Sequence, residues 1–172
     1  MTQWVLAYEG FDPAQEGLRE ALCTVGNGYF ATRGAASEMA AGDVHYPGTY
    51  VAGLYNRLET EIAGRTVENE DLVNVPNWLQ LQYRKAGDEA WFALDAAQMK
   101  EYRQELDVRR GVLARLFTWV DAEGRRTRVT QRRFVSMRNP HLAAMETTFL
   151  AENWSGTVSY THLRAHETIH AI

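Results

Sequence analysis

Three carboxyl groups crowd into four residues at Glu68-Asn69-Glu70-Asp71, and they are the first place to look for acid and base chemistry. Cleaving a glycosidic bond takes two carboxyl groups flanking that bond, one of them kept protonated by its surroundings. Clustered acids also bind calcium, but the alternating acids closed by a distant glutamate that a calcium loop needs are missing here. Neighbouring residues of a strand face opposite ways, which suits neither use. The expectation is a solvated or domain-facing segment that contributes no catalytic residue.

Two further groups offer binding chemistry. Arg125, Arg126, Arg128, Arg132 and Arg133 fall along one predicted strand and its turn, and alternation puts Arg126, Arg128 and Arg132 on one face, where they could grip phosphate or nucleic acid. Interleaved aromatics for base stacking are lacking, and Glu101, Glu105, Asp107 and Asp121 can balance the charge, so a solvated face or domain interface is expected. Tyr50, Tyr55, Trp78, Tyr83, Trp91, Trp119 and Trp154 are enough aromatics for a sugar-stacking platform, although most should be core. Asn77 and Trp78 are the substrate-binding candidates. Pro76-Asn77 makes an irregular, exposed entry to the indole, and the amide can hydrogen-bond a hydroxyl.

His162, His166 and His170 recur every four residues, which on a helix would line three imidazoles along one face as a metal site requires. A strand carrying incidental histidines is the alternative. The sequence contains no phosphate loop ending in lysine, no paired-cysteine zinc pattern and no serine elbow. Gly26-Asn27-Gly28 is a turn and not a dinucleotide fingerprint, because no helix pattern follows it.

The elements that must position these residues read mainly as strands. Trp4 to Tyr8 predicts a first strand, and Pro13 to Glu16 one helical turn capped by Asp12. Leu18 to Asn56 reads as two strands of one sheet, bent at Gly26-Asn27-Gly28, with Leu22, Val25, Tyr29 and Phe30 as the packed face and Pro47-Gly48 restarting the chain. Ile62 to Val67 is a strand broken by a turn. Trp78 to Arg84 alternates as a half-buried strand, Lys85 to Asp88 turns into Trp91 to Leu94, and Asp95 to Glu101 reads as a brief helix capped by Asp95. From Leu106 onward, turns at Arg109-Arg110-Gly111, Asp121 to Gly124 and Arg138-Asn139-Pro140 divide a meander of antiparallel strands. Many short strands with regular turns predict a mostly β fold, an antiparallel β-sandwich with few short helices.

Composition bounds the function classes. The chain has 172 residues, 45% hydrophobic and 23% charged, enough for one globular domain with a core. A formal net charge of −4 argues against general affinity for nucleic acid. The lone Cys23 cannot close an internal disulfide and reads as a buried small hydrophobe in a reducing compartment. MTQWVLAYEG lacks the pattern of a secretory leader, and no apolar run reaches membrane-spanning length, so the expected location is cytoplasmic, away from membranes.

Four separated segments then carry a resemblance. G-N-G-Y-F-A-T-R-G from Gly26, Y-P-G-T-Y-V-A-G-L-Y-N from Tyr46, Glu61 to Trp78, and Arg133 to Gly156 closely resemble the start of glycoside hydrolase family 65, in the family's order. The family holds disaccharide phosphorylases and related hydrolases. The resemblance implies a supersandwich-like amino-terminal domain preceding an (α/α)-barrel that carries the general acid. The parent enzyme would cleave α-linked glucosides such as trehalose, maltose or kojibiose with inversion, taking inorganic phosphate or water as nucleophile and needing no metal or organic cofactor. It leaves open a homodimer contact, and a free-standing carbohydrate-binding module is the alternative reading. Val158 to Thr168 instead resembles the translation of a sequencing-library adapter. The expected boundary is a domain over 1–157 and a non-native tail over 158–172, with no role for the tail's histidines.

Overall fold

In the computed structural model, which describes residues 4–93 and 98–162, the chain runs β1 (Val5–Glu9), α1 (Glu16–Leu22), β2 (Val25–Gly26), β3 (Phe30–Thr32), β4 (Thr49–Ile62), β5 (Arg65–Asn74) and β6 (Leu81–Lys85). It continues through β7 (Met99–Asp107), β8 (Val112–Val120), β9 (Arg126–Val135), β10 (Ala143–Ala151) and β11 (Val158–His162). One sheet has the order β1-β7-β8-β9-β10, a second β2-β3-β4-β5, and β11 pairs with β6. Every pairing is antiparallel. The meander expected after Leu106 is therefore present, and the fold is an antiparallel β-sandwich.

Two apolar clusters join the layers. Tyr83 of β6 and Phe92 pack on Met99, Tyr102, Phe117 and Val129 of the five-stranded sheet, with Phe149 and Val158 at the margin. Cys23 and Val25 pack on Leu106, Leu113 and Val135, joined by Leu6 and Phe30. Each fully buried side chain of this size contributes roughly 1.5–3 kcal/mol of transfer free energy. Between the clusters lies a polar seam. Tyr8, Gln104, Arg115, Gln131 and Thr147 stand opposite one another in register across all five strands. The loop after β3 covers it: Gln104 Nε2 donates to Gly34 O at 3.3 Å, Gln131 Nε2 donates to Ser37 Oγ at 2.7 Å, and both Glu38 oxygens accept from Arg115 Nη2.

The opposite end of β4 and β5 behaves differently. Past a register shift at Gly53, which has φ of +83°, Tyr55–Ile62 pairs with Arg65–Leu72 as a two-stranded arm whose side chains are exposed except at the root. Eight paired residues reach roughly 25 Å from the body. Ala63 and Gly64 close the arm with φ of 52° and 73°, the left-handed pair that a two-residue hairpin requires.

Four sequence expectations are corrected. Leu18 to Leu22 lies in α1 and not in a strand. Its inward residues are Glu16, Glu20 and Cys23, at helical spacing, while Leu18 and Leu22 face solvent, so carboxylates occupy the stripe where apolar residues would betray a helix. Glu20 is held by His45 Nδ1 at 2.8 Å and Tyr46 N at 2.9 Å. Asp12 does accept from Ala14 N at 3.1 Å, but the helix begins four residues later with no side-chain cap. The helix expected over Asp95 to Glu101 is replaced from Met99 by β7, where Glu101, at φ of 54°, bulges the strand so that Met99 and Tyr102 both turn inward; Asp95 to Ala97 lie outside the described residues. The strand expected from Trp78 begins only at Leu81.

Candidate functional site

An open cleft of about 430 Å³ lies at the root of the arm, between Ala40-Ala41, Pro47 and the chain from Asn74 to Gln80 where β5 leaves the sheet. Sequence dictates this irregular path. Pro76 cannot donate to a ladder and forces an extended Val75, and Asn77 Oδ1 then accepts from Leu79 N at 3.1 Å, bending the chain so that Leu79 is buried. Asn74 is fully engaged, its Oδ1 accepting from Thr49 N at 3.0 Å and its Nδ2 donating to Pro47 O at 3.2 Å. Asn77 and Gln80 thus present amides beside an apolar wall of Pro47, Val75 and Pro76. Trp78 is half-buried, is not part of the cleft lining, and its indole N–H is buried with no acceptor among the described residues. Of the two candidates, the structure brings Asn77 to the cleft and turns Trp78 from it. The lining contains no carboxyl, imidazole or thiol, so the cleft can bind by hydrogen bonds and apolar contact but cannot transfer a proton.

The acidic segment lies on β5 in the arm. Glu68 and Glu70 share a face and flank Arg57, at 3.4 and 2.7 Å, while Asn69 and Asp71 face the other way. All are exposed, so nothing holds one carboxyl protonated beside an ionised partner.

The arginine row divides. Arg126 and Arg128 meet Glu152 at 2.9 and 2.8 Å and Glu101 at 3.8 and 3.7 Å, Arg132 Nε donates to Glu146 at 3.0 Å, and Arg125 meets Asp121. Each of these exposed or half-exposed cations is balanced. Arg133, of the opposite parity, is buried. Among the aromatics, Tyr83 is core, Trp91 stacks under Arg84, Trp154 Nε1 donates to Thr127 Oγ1 at 3.0 Å, and Tyr55 is exposed on the arm. Cys23 is fully buried, and burial pushes its thiol up, in keeping with a small hydrophobe. His162 lies on β11, and His166 and His170 lie outside the described residues. Among the described residues no group of three His, Cys, Asp or Glu could hold a metal ion, and no helix is long and apolar enough to cross a membrane.

Sequence reasoning passed over the buried charges, Glu16, Glu20, Glu38, His45 and Arg115. Arg115 carried a signal, since it alternates with the inward Leu113 and Phe117. Glu38 carried none, because its partner lies 77 residues away.

A sandwich with a projecting ribbon and an amide-lined cleft belongs to the class of antiparallel all-β domains. Comparison with known proteins makes the assignment specific. Residues 6–166 match the glycosyl hydrolase family 65 N-terminal domain, and the chain belongs to that family. It is 54% identical over 160 residues to an uncharacterized glycosyl hydrolase of Mycobacterium tuberculosis, covering 93% of this chain and 12% of that protein. It is 32% identical over 161 residues to the kojibiose phosphorylase of Caldanaerobacter subterraneus subsp. tengcongensis, covering 94% of this chain and 20% of that enzyme. A solved chain assigned as a kojibiose phosphorylase, from the human microbiome, superposes with a TM-score of 0.76 over 85% of this chain and 19% of its own, at 22% identity, and so shares the fold. The chain thus spans between about an eighth and a fifth of the length of these relatives.

Proposed function

We propose that the chain is the amino-terminal, non-catalytic domain of an enzyme that cleaves α-glucosidic disaccharides with inversion, by phosphorolysis or hydrolysis, and that its catalytic groups lie in an (α/α)-barrel beyond these residues. The observation that carries the reading is the family match over 6–166 in relatives of five to eight times the matched length. The absence of a carboxyl from the cleft lining supports it. We assign the arm to the contact with that barrel. Leu58, Thr60 and Ile62 share one face with Val67, and an isolated two-stranded ribbon with an uncovered apolar face is marginal in water.

The test compares this chain with a full-length version carrying the barrel, each given kojibiose, trehalose or maltose with and without inorganic phosphate. Phosphate-dependent release of β-glucose 1-phosphate by the long form alone is expected, since inversion at an α-linked anomeric carbon yields the β ester. Turnover by the 172-residue chain would refute the non-catalytic role. A second reading, carbohydrate binding in its own right, draws on the amides of Asn77 and Gln80 in the cleft lining. Shifts of the Asn77 and Gln80 side-chain resonances on titration with an α-linked diglucoside, lost in Asn77→Ala, would favour it.

A further inference from the structure

The five-stranded sheet ends in two edges of unequal kind, β1 and β10. β1 is short, at five residues. β10 runs for nine, Ala143–Ala151, in unbroken register with β9 and with no other strand among the described residues. Ser136 N donates to Leu142 O at 2.9 Å and Glu152 N donates to Arg126 O at 3.0 Å, and these two bonds bracket the ladder. Because bonding alternates along an antiparallel pair, the even-numbered residues of β10 bond to β9, while Ala143, Met145, Thr147, Phe149 and Ala151 aim their N–H and C=O groups away from the sheet. None of these residues makes a backbone hydrogen bond to another element among the described residues.

Sheet edges are ordinarily protected by lysine, proline or a bulge. The β10 sequence AAMETTFLA has no lysine or proline, its ladder has no register shift, and its one charge, Glu146, is paired with Arg132 of β9. Its inner face reads Ala143, Met145, Thr147, Phe149, Ala151, small and large residues in the same order from either end. A two-fold axis at Thr147 therefore sets Ala143 opposite Ala151, Met145 opposite Phe149 and Thr147 opposite its own copy. On the outer face it sets Glu146 opposite Thr148 and Ala144 opposite Leu150, a leucine that is 54% exposed in the single chain. Moving the axis to Glu146 would bring two carboxylates face to face, and moving it to Thr148 would set Phe149 against Thr147 and leave Ala143 unmatched.

We propose that β10 is a contact between two copies of this chain, joined antiparallel about a two-fold axis at Thr147 into one continuous sheet. The outward N–H groups of both copies make about ten ladder hydrogen bonds across the junction. The contact is isologous, so it uses up both edges and closes at the dimer. It draws on neither the arm nor the cleft, and it stands whether or not the chain serves the enzyme proposed above.

The test is sedimentation equilibrium of the 172-residue chain beside Thr148→Glu and Thr148→Lys, substitutions at an exposed position. In the dimer each places a charge opposite Glu146 of the other copy, twice by symmetry. Thr148→Glu is expected to raise the dimer dissociation constant about tenfold and Thr148→Lys to lower it, opposite shifts that a folding defect cannot produce. Amide exchange followed by nuclear magnetic resonance supplies a readout without a variant. The amides of Met145, Thr147 and Phe149 should be protected in concentrated samples and exchange on dilution, while those of Ala144, Glu146 and Thr148 stay protected in both. A chain that sediments as a monomer at millimolar concentration would overturn the proposal. So would association that ignores both Thr148 variants, or a dimer in which Met145, Thr147 and Phe149 exchange freely.

Discussion

Replacing Glu38 by Gln tests whether the polar seam is held by charge. The substitution keeps the shape and one acceptor but removes the only carboxylate paired with Arg115 among the described residues, with both partners almost fully excluded from water. Breaking a buried pair from one side costs about 3–5 kcal/mol, because the remaining charge is left in low dielectric. Burial opposes the Arg115 charge and Glu38 restores it, holding the guanidinium above its usual range, and the like-charged Arg133 lies close enough to be pushed down by Arg115. A domain of this size loses about 2–4 °C per kcal/mol, so the melting temperature should fall by roughly 6–20 °C. Glu146→Gln is the control: it breaks the Arg132 pair, whose side chains are 62% and 61% exposed, and should cost less than about 1 kcal/mol. Calorimetry of parent, E38Q, E146Q and the double variant E38L/R115M, in one buffer, decides the matter. The double variant should recover most of the loss, since an apolar pair of similar volume removes the desolvation penalty with the charge. An E38Q protein melting within about 2 °C of the parent, or an E146Q protein losing as much, would refute the reasoning.

A Cβ on Gly34 would stand 2.6 Å from Cys23 Cβ and 3.1 Å from its carbonyl oxygen, so Gly34→Ala should destabilise by about 1–3 kcal/mol, read as a lower urea midpoint at unchanged slope. Leu58→Lys with Ile62→Lys on the exposed arm should change the melting temperature by less than about 2 °C while lowering binding of a hydrophobic dye and self-association in sedimentation; a large melting change would mean that the arm is packed against the body. Burial raises the Glu16 carboxyl above its usual value of 4.5, with Arg19 opposing, so the folded state holds that proton more tightly than the unfolded chain. The stability this contributes is complete below that value and is lost as pH rises through the raised one. As pH rises above that usual value the parent should therefore lose stability relative to Glu16→Gln, and a relative gain by the parent would reverse the assignment.

The parts of the fold that could be read from sequence are those where two local signals agree. In β8, β9 and β10 the strand period and the turn residues Asp121 to Gly124 and Arg138 to Pro140 point the same way, and the observed registers follow. Helix α1 was hidden because Glu16 and Glu20, not apolar residues, form its buried stripe, and their partners Arg19, His45 and Tyr46 supply the stabilisation that apolar burial usually gives. The cleft was half legible. Pro76-Asn77 announced a break, but which way Trp78 turns depends on the Asn77 to Leu79 hydrogen bond, a detail of backbone geometry that no residue pattern encodes. The burial of Arg133 follows from parity once β9 is known to bury Val129 and Val135, because Arg133 must then point the same way.

That parity argument also explains what the seam does for the fold. A one-residue slip of β8 against β9 would turn Leu113 and Phe117 to solvent, so apolar burial alone forbids it. A two-residue slip is different, since it keeps every inward residue inward. It would set Arg115 opposite Val129 or Arg133 in place of Gln131, and in the latter case place two guanidinium groups directly across from each other. It would also move Arg115 by about 7 Å from Glu38, whose loop is tied to the same row by Ser37 and Gly34. The hydrophobic clusters tolerate that slip far better than the seam does. The buried polar row therefore selects one register among those that the apolar pattern permits, which is a reason for a sandwich core to carry charges whose burial is costly.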